Sequence, residues 1–132
     1  MPTKLKCFAL HWLPLILYCL LIYIQSSHPS PKQIPSFPFV DKVLHVAAYG
    51  IMGILFFRAY QTSRIKNNIQ LLMMLSAVSA SLYGISDEIH QSFVPFREAE
   101  GADVIADIIG AFSGVWLYRL LVASGKSESG GV

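Results

Sequence analysis

Charge is scarce in this chain. Of 132 residues, 14% are charged and the net charge is +2, against about 25% charged in ordinary soluble domains. The lysines and arginines are scattered and form no basic stripe with interleaved aromatics, which argues against a nucleic-acid partner. Cysteine is nearly absent. Cys7 and Cys19 lie in or beside one apolar run with no CxxC spacing, so neither a zinc knuckle nor a redox pair is available. Cys19 reads as a small packing or lipid-facing residue. There is also no HExxH or HxH pattern and no nucleophile elbow, which leaves the common signatures of zinc and serine hydrolases unfilled.

What fills the space is hydrocarbon. Hydrophobic residues make up 54% of the chain and the mean hydropathy is +0.52. Four apolar segments follow one another: Phe8 to Ile24, Val43 to Tyr60, Ile69 to Ile85 and Val104 to Val122. At about 1.5 Å per residue each approaches the ~30 Å hydrocarbon thickness of a bilayer. The expected fold is therefore all-α: an integral membrane four-helix bundle with one domain over residues 8–122 and a disordered polar tail over 123–132. Lys4 and Lys6 ahead of the first run also suit a secretory signal. No A-x-A site follows, and the run exceeds the usual h-region of about 7 to 15 residues, so it is read as a retained span. Pro29, Pro31, Pro35 and Pro38 predict a stiff extended connector. Small residues at Ser76, Ala77, Ser79, Ala80 and Ser81, and the pair Gly110 and Gly114, allow close helix contact. The glycine pair is expected to pack inside the bundle, with an oligomer through it as the alternative.

Basic residues fix the expected orientation. With a cytoplasmic N-terminus, Lys4, Lys6, Arg58, Arg64, Lys66, Arg119 and Lys126 lie inside and Lys32, Lys42 and Arg97 outside, so both termini are expected in the cytoplasm. The acids segregate the opposite way. Asp41, Asp87, Glu88, Glu98, Glu100, Asp103 and Asp107 fall outside and Glu128 inside. A carboxylate or imidazole near hydrocarbon costs several kcal/mol, on the order of 3, unless paired, hydrated or bound, which makes the outer end the place to look for function.

Spacing sharpens that. Asp41, His45 and Tyr49 recur every four residues and share one helix face. Asp41 also suits an N-cap, while His45 lies too deep for one; its bland alternative is a buried histidine bonded to a neighbouring helix. Asp87, His90 and Gln91 share a face if the third helix continues past Ile85, with Glu88 about 100° away and more exposed. Arg97 is the expected cation for the adjacent carboxylates. Glu98 and Glu100 read as solvated loop charges, Pro95 as a turn, and Asp103 as a cap one helical turn before Asp107. The convergent reading is a ligand-binding pocket made by Asp41, His45, Tyr49, Asp87, Glu88, Gln91, Arg97, Asp103 and Asp107, with Glu88, His90 and His45 as candidate catalytic groups. No metal and no cofactor are expected, although two histidines and several carboxylates would suit a divalent ion such as zinc or manganese.

Several of these residues, in order, resemble the VanZ-like family. They are Ser26 to Pro29; Asp41 to His45 with Tyr49 and Gly50; Tyr83 to Gln91 with Phe93 to Arg97; and Asp103 to Gly110. The similarity runs from about Leu15 to Leu121. It departs at Asp107, where the family usually carries Asn. The resemblance implies a small multi-pass protein of the bacterial inner membrane, linked through the founding member to low-level resistance to teicoplanin, an acylated glycopeptide that acts on cell-wall precursors at the outer leaflet. The expected partners are the bilayer and a lipid-linked or cell-wall precursor. The leading expectation is a protein whose outer pocket engages an envelope headgroup. A membrane-embedded hydrolase or transferase and a purely structural membrane protein are the alternatives.

Overall fold

The computed structural model describes residues 3–28, 40–97 and 99–129. The proline-rich connector and Glu98 lie outside them. Four helices follow in order: α1 Lys4–Ser26, α2 Val40–Tyr60, α3 Ile69–Gln91 and α4 Gly101–Ser129, with a 3₁₀ turn at Arg64–Asn67 between α2 and α3. All four expected segments are helices, and each is longer than its apolar run. The ends are extended by polar residues that can hydrogen-bond the exposed backbone. Thr3 caps α1 by accepting from the Lys6 amide at 3.3 Å, and Asn68 caps α3 by accepting from Leu71 at 3.1 Å. Such caps satisfy donors that a bilayer would leave bare.

Two expectations at the helix ends need correction. Asp41 is the second residue of α2 and does not cap it; there its charge still faces the positive end of the helix dipole. The tail expected to be disordered from residue 123 is helical through Ser129. Once a long helix exists, each added residue gains a hydrogen bond without a new nucleation step, so small polar residues are carried along.

The packing is inverted relative to a water-soluble bundle. Leu5, Leu21, Val43, Leu82, Ile105 and Leu121 are each at least 59% exposed, while Ser76 and Asp107 are at 0%. In water an apolar surface of this extent marks an interaction site. All four helices are long and apolar enough to cross a membrane, and the chain is a multi-pass membrane protein. Its interior holds two apolar clusters. Ile22, Tyr49, Met52, Ala80 and Ala111 lie toward one end, and Phe57, Leu72, Ala77 and Val115 toward the other.

The tightest contact is between α2 and α4. A Cβ built on Gly110 would overlap the Val46 carbonyl oxygen and stand 2.8 Å from its Cα, and one on Gly114 would strike the Gly50 backbone. Without a hydrophobic drive between helices in lipid, this close backbone approach is a main source of association. The glycine pair is thus turned onto α2 within the bundle. That contact sets the register which brings His45 level with Asp107.

Candidate polar site at one end of the bundle

The C-terminal ends of α1 and α3 meet the N-terminal ends of α2 and α4 at one end of the bundle, and most of the buried polar groups are there. Three tiers can be followed inward from the surface.

In the outer tier, Lys42 Nζ donates to Asp103 Oδ1 at 2.5 Å and to Glu100 Oε2 at 2.7 Å, and lies 3.4 Å from Asp41 Oδ2. The spacing arguments did not pick out this lysine as a site residue, yet the signal existed. Lys42, His45 and Tyr49 are three and four residues apart, the spacing of one helix face. Glu100, expected to be solvated, is half exposed and joined to that lysine.

The middle tier is centred on His45. Its Nδ1 is 2.7 Å from Asp107 Oδ1, and its Nε2 is 3.7 Å from Asp103 Oδ2 and 3.9 Å from Asp41 Oδ1. A carboxylate only accepts, so the imidazole N–H donates to Asp107. Glu88 completes the tier, its Oε2 accepting the Glu100 backbone N–H at 3.2 Å. That amide precedes the first residue of α4, so Glu88 is held at a helix N-terminus, where the dipole favours negative charge. Asp107 reaches in over Gly84; a Cβ there would lie 2.9 Å from both Asp107 Cβ and Oδ2. The glycine on α3 makes the room that the aspartate occupies.

The inner tier is joined through Asp87 Oδ2 and Gln91 Nε2. Tyr49 OH donates to Asp87 Oδ2 at 3.0 Å, and Gln91 Nε2 donates to the same oxygen and to Ser26 Oγ, each at 3.2 Å. Tyr49 also stacks with His45, ring centroids 6.4 Å apart and planes 7° from parallel.

Eight of the nine expected ligand-binding residues are therefore brought together at this end, although Asp41 remains at the exposed rim. Arg97 is not among them. It donates from Nη1 to the carbonyls of Gln25 and His28, at 2.9 and 3.0 Å, closing the C-terminus of α1. The cause is local: Phe96 takes a left-handed φ of 63°, which turns the chain after Pro95 so that the next side chain runs back toward α1. His90 also faces α1. Its Nε2 is 2.9 Å from Ser27 Oγ, and its ring stacks on Tyr23 at 4.8 Å. Glu88, expected to be more exposed than Asp87, is just 5% exposed against 7% for Asp87. Because α3 packs on α2 and α4 at this level, its inward arc is wide enough to bury residues 100° apart.

Two atoms stand out in this network. Glu88 Oε1 and Asp107 Oδ2 are buried and have no hydrogen-bond partner among the described residues. An unsatisfied buried acceptor costs about 1–3 kcal/mol, more when charged.

No curated protein and no solved structure matches this chain. The model of one family, VanZ/LLP1, matches residues 8–122, which take in most of each of the four helices and every residue of the polar site. The chain belongs to the VanZ/LLP1 family.

Proposed function

We propose that the polar end of the bundle faces the outer side of the bacterial inner membrane, with both termini in the cytoplasm, and engages the polar headgroup of a cell-envelope lipid or lipid-linked cell-wall precursor. The observation that carries this reading is the pair of buried, unpartnered carboxylate oxygens on Glu88 and Asp107, set beside donors at the membrane end of a bundle whose outer wall is apolar. A lipid can keep its chains against that wall while its headgroup reaches the polar end. Lys42 and His45 are the donors of this site. The carboxylates outnumber these donors and favour a headgroup rich in hydroxyl or amino groups.

A catalytic reading has one specific support, the 2.7 Å pairing of His45 with Asp107. An aspartate that holds Nδ1–H leaves Nε2 able to accept a proton from a hydroxyl, which is how an orienting carboxylate prepares a general base. In this reading His45 is the base; Arg97 and His90, which face α1, have no part in it.

The test is lipid retention. Protein extracted from bacterial membranes is examined by native mass spectrometry as wild type, His45→Ala and Glu88→Gln, with folding checked by helicity. Retention of a polar envelope lipid by the wild type, and its loss from both folded variants, is the expected result. Equal retention by all three would remove the site from lipid binding. Incubating the retained lipid with wild type and His45→Ala then separates binding from turnover: product with the wild type alone makes the site catalytic. Teicoplanin susceptibility of a sensitive host, measured at matched protein level, tests the implied resistance.

A further inference from the structure

Two carboxylates and an imidazole meet in the middle tier, and the cations available to the carboxylates of this end are unevenly placed. Lys42 answers Asp103, Glu100 and Asp41 in the outer tier. Glu88 and Asp107 are 5% and 0% exposed, and each keeps one buried oxygen with no partner among the described residues. Ligand atoms of His45, Glu88 and Asp107 all lie within 4.8 Å of one another.

We propose that His45, Glu88 and Asp107 bind a divalent cation of the manganese or zinc class. The proposal concerns the same end of the bundle as the headgroup reading but does not depend on it. Ligands of one tetrahedral ion with bonds of about 2.2 Å stand about 3.6 Å apart, so side-chain shifts of up to about 1 Å would close the cage. Charge supports the assignment: one dication and two carboxylates sum to zero, which suits a buried site far better than two anions beside a single imidazole. The mixed nitrogen and oxygen donors select manganese or zinc over calcium, which prefers an all-oxygen shell. With His45 Nδ1, the nitrogen beside Asp107, as the ligating atom, Nε2 has Asp103 Oδ2 3.7 Å away, an outer carboxylate placed to orient a metal-bound histidine.

A second grouping, Asp41, His45 and Asp103, also meets the distance criterion. It is the weaker cage. Lys42 already stands 2.5 Å from Asp103, and the Asp41 side chain is 67% exposed.

The test uses the full chain in detergent, stripped with chelator and titrated with Mn²⁺ under electron paramagnetic resonance, with Zn²⁺ as competitor. The wild type and Gly125→Ala, a change remote from the site, are expected to take up one ion per chain. Glu88→Gln and Asp107→Asn should bind at least tenfold more weakly while keeping wild-type helicity. If a variant fails to fold, the wild type still decides: bound Mn²⁺ should broaden histidine ring resonances at the polar end and leave His11, in the first turns of α1, sharp. No stoichiometric uptake, equal affinity in both folded carboxylate variants, or broadening of His11 alone would overturn the proposal. Because no lipid is added here, and because lipid retention can be measured in chelator, either reading can fail without the other.

Discussion

Gly110→Ala is the sharpest test of the packing that builds the site. The added Cβ would lie 2.8 Å from Val46 Cα and 2.9 Å from its carbonyl carbon, and would overlap the carbonyl oxygen. These are backbone atoms that cannot rotate aside, so α2 must move away from α4. Overpacking of this kind costs about 1–3 kcal/mol, and the rigid neighbours place this position near 3. Alanine returns at most about 1 kcal/mol of helix propensity. The net loss should be about 2 kcal/mol, near a thirtyfold shift in the folding equilibrium. Val46 follows His45 directly, so the same movement should lengthen the 2.7 Å contact of His45 with Asp107 and weaken ligand binding beyond the loss of stability. Gly125→Ala is the internal control, since a Cβ there meets nothing within 4 Å; it should be neutral or mildly stabilising. The assay is thermal and denaturant unfolding in detergent, followed by helicity. If Gly110→Ala matched Gly125→Ala in stability, the close contact of α2 with α4 would be wrong, and the register of the site with it.

Arg97→Gln should lower stability by about 1 kcal/mol, because it removes a charged donor from the carbonyls of Gln25 and His28 at the end of α1; lipid retention by the folded fraction should stay at the wild-type level. A large loss of retention at full stability would return Arg97 to the site. For orientation, Cys7 and Cys19 are changed to Ser and single cysteines introduced as Phe93→Cys and Lys66→Cys. An impermeant thiol reagent on intact spheroplasts should label the first and reach the second only after permeabilisation; the reverse pattern would put the polar end in the cytoplasm.

Much of this fold was legible in the sequence because bilayer thickness imposes a length on apolar runs, and four such runs are present. The deeper site residues were legible for a related reason. Capping could not account for His45 or Asp107, and the two prove to be partners across α2 and α4. What local spacing could not supply was the path of the chain between α3 and α4. A single left-handed residue, Phe96, decides whether Arg97 meets the carboxylates or α1, and a phenylalanine gives no hint of that conformation. The role of Lys42 was obscured by its neighbour: the four-residue rhythm from Asp41 drew attention to a side chain that lies at the exposed rim, while the lysine one position on spans to α4. His90 shared the spacing of Asp87 and Gln91 but lies at the edge of their face, where α1 claims it.

The central claim is that Glu88 and Asp107 are kept for a ligand and not for the fold, and the stability of Glu88→Gln without added ligand tests it most directly. The glutamine oxygen can still accept from the Glu100 amide, now 3.2 Å from Glu88 Oε2, while one negative charge leaves a carboxylate-rich interior. If the carboxylate serves a ligand, the chelator-stripped variant should melt at or above the wild-type temperature, with a gain of up to about 1 kcal/mol, and should no longer retain lipid. If the carboxylate is scaffolding, the variant should melt well below the wild type, and that result would contradict the account.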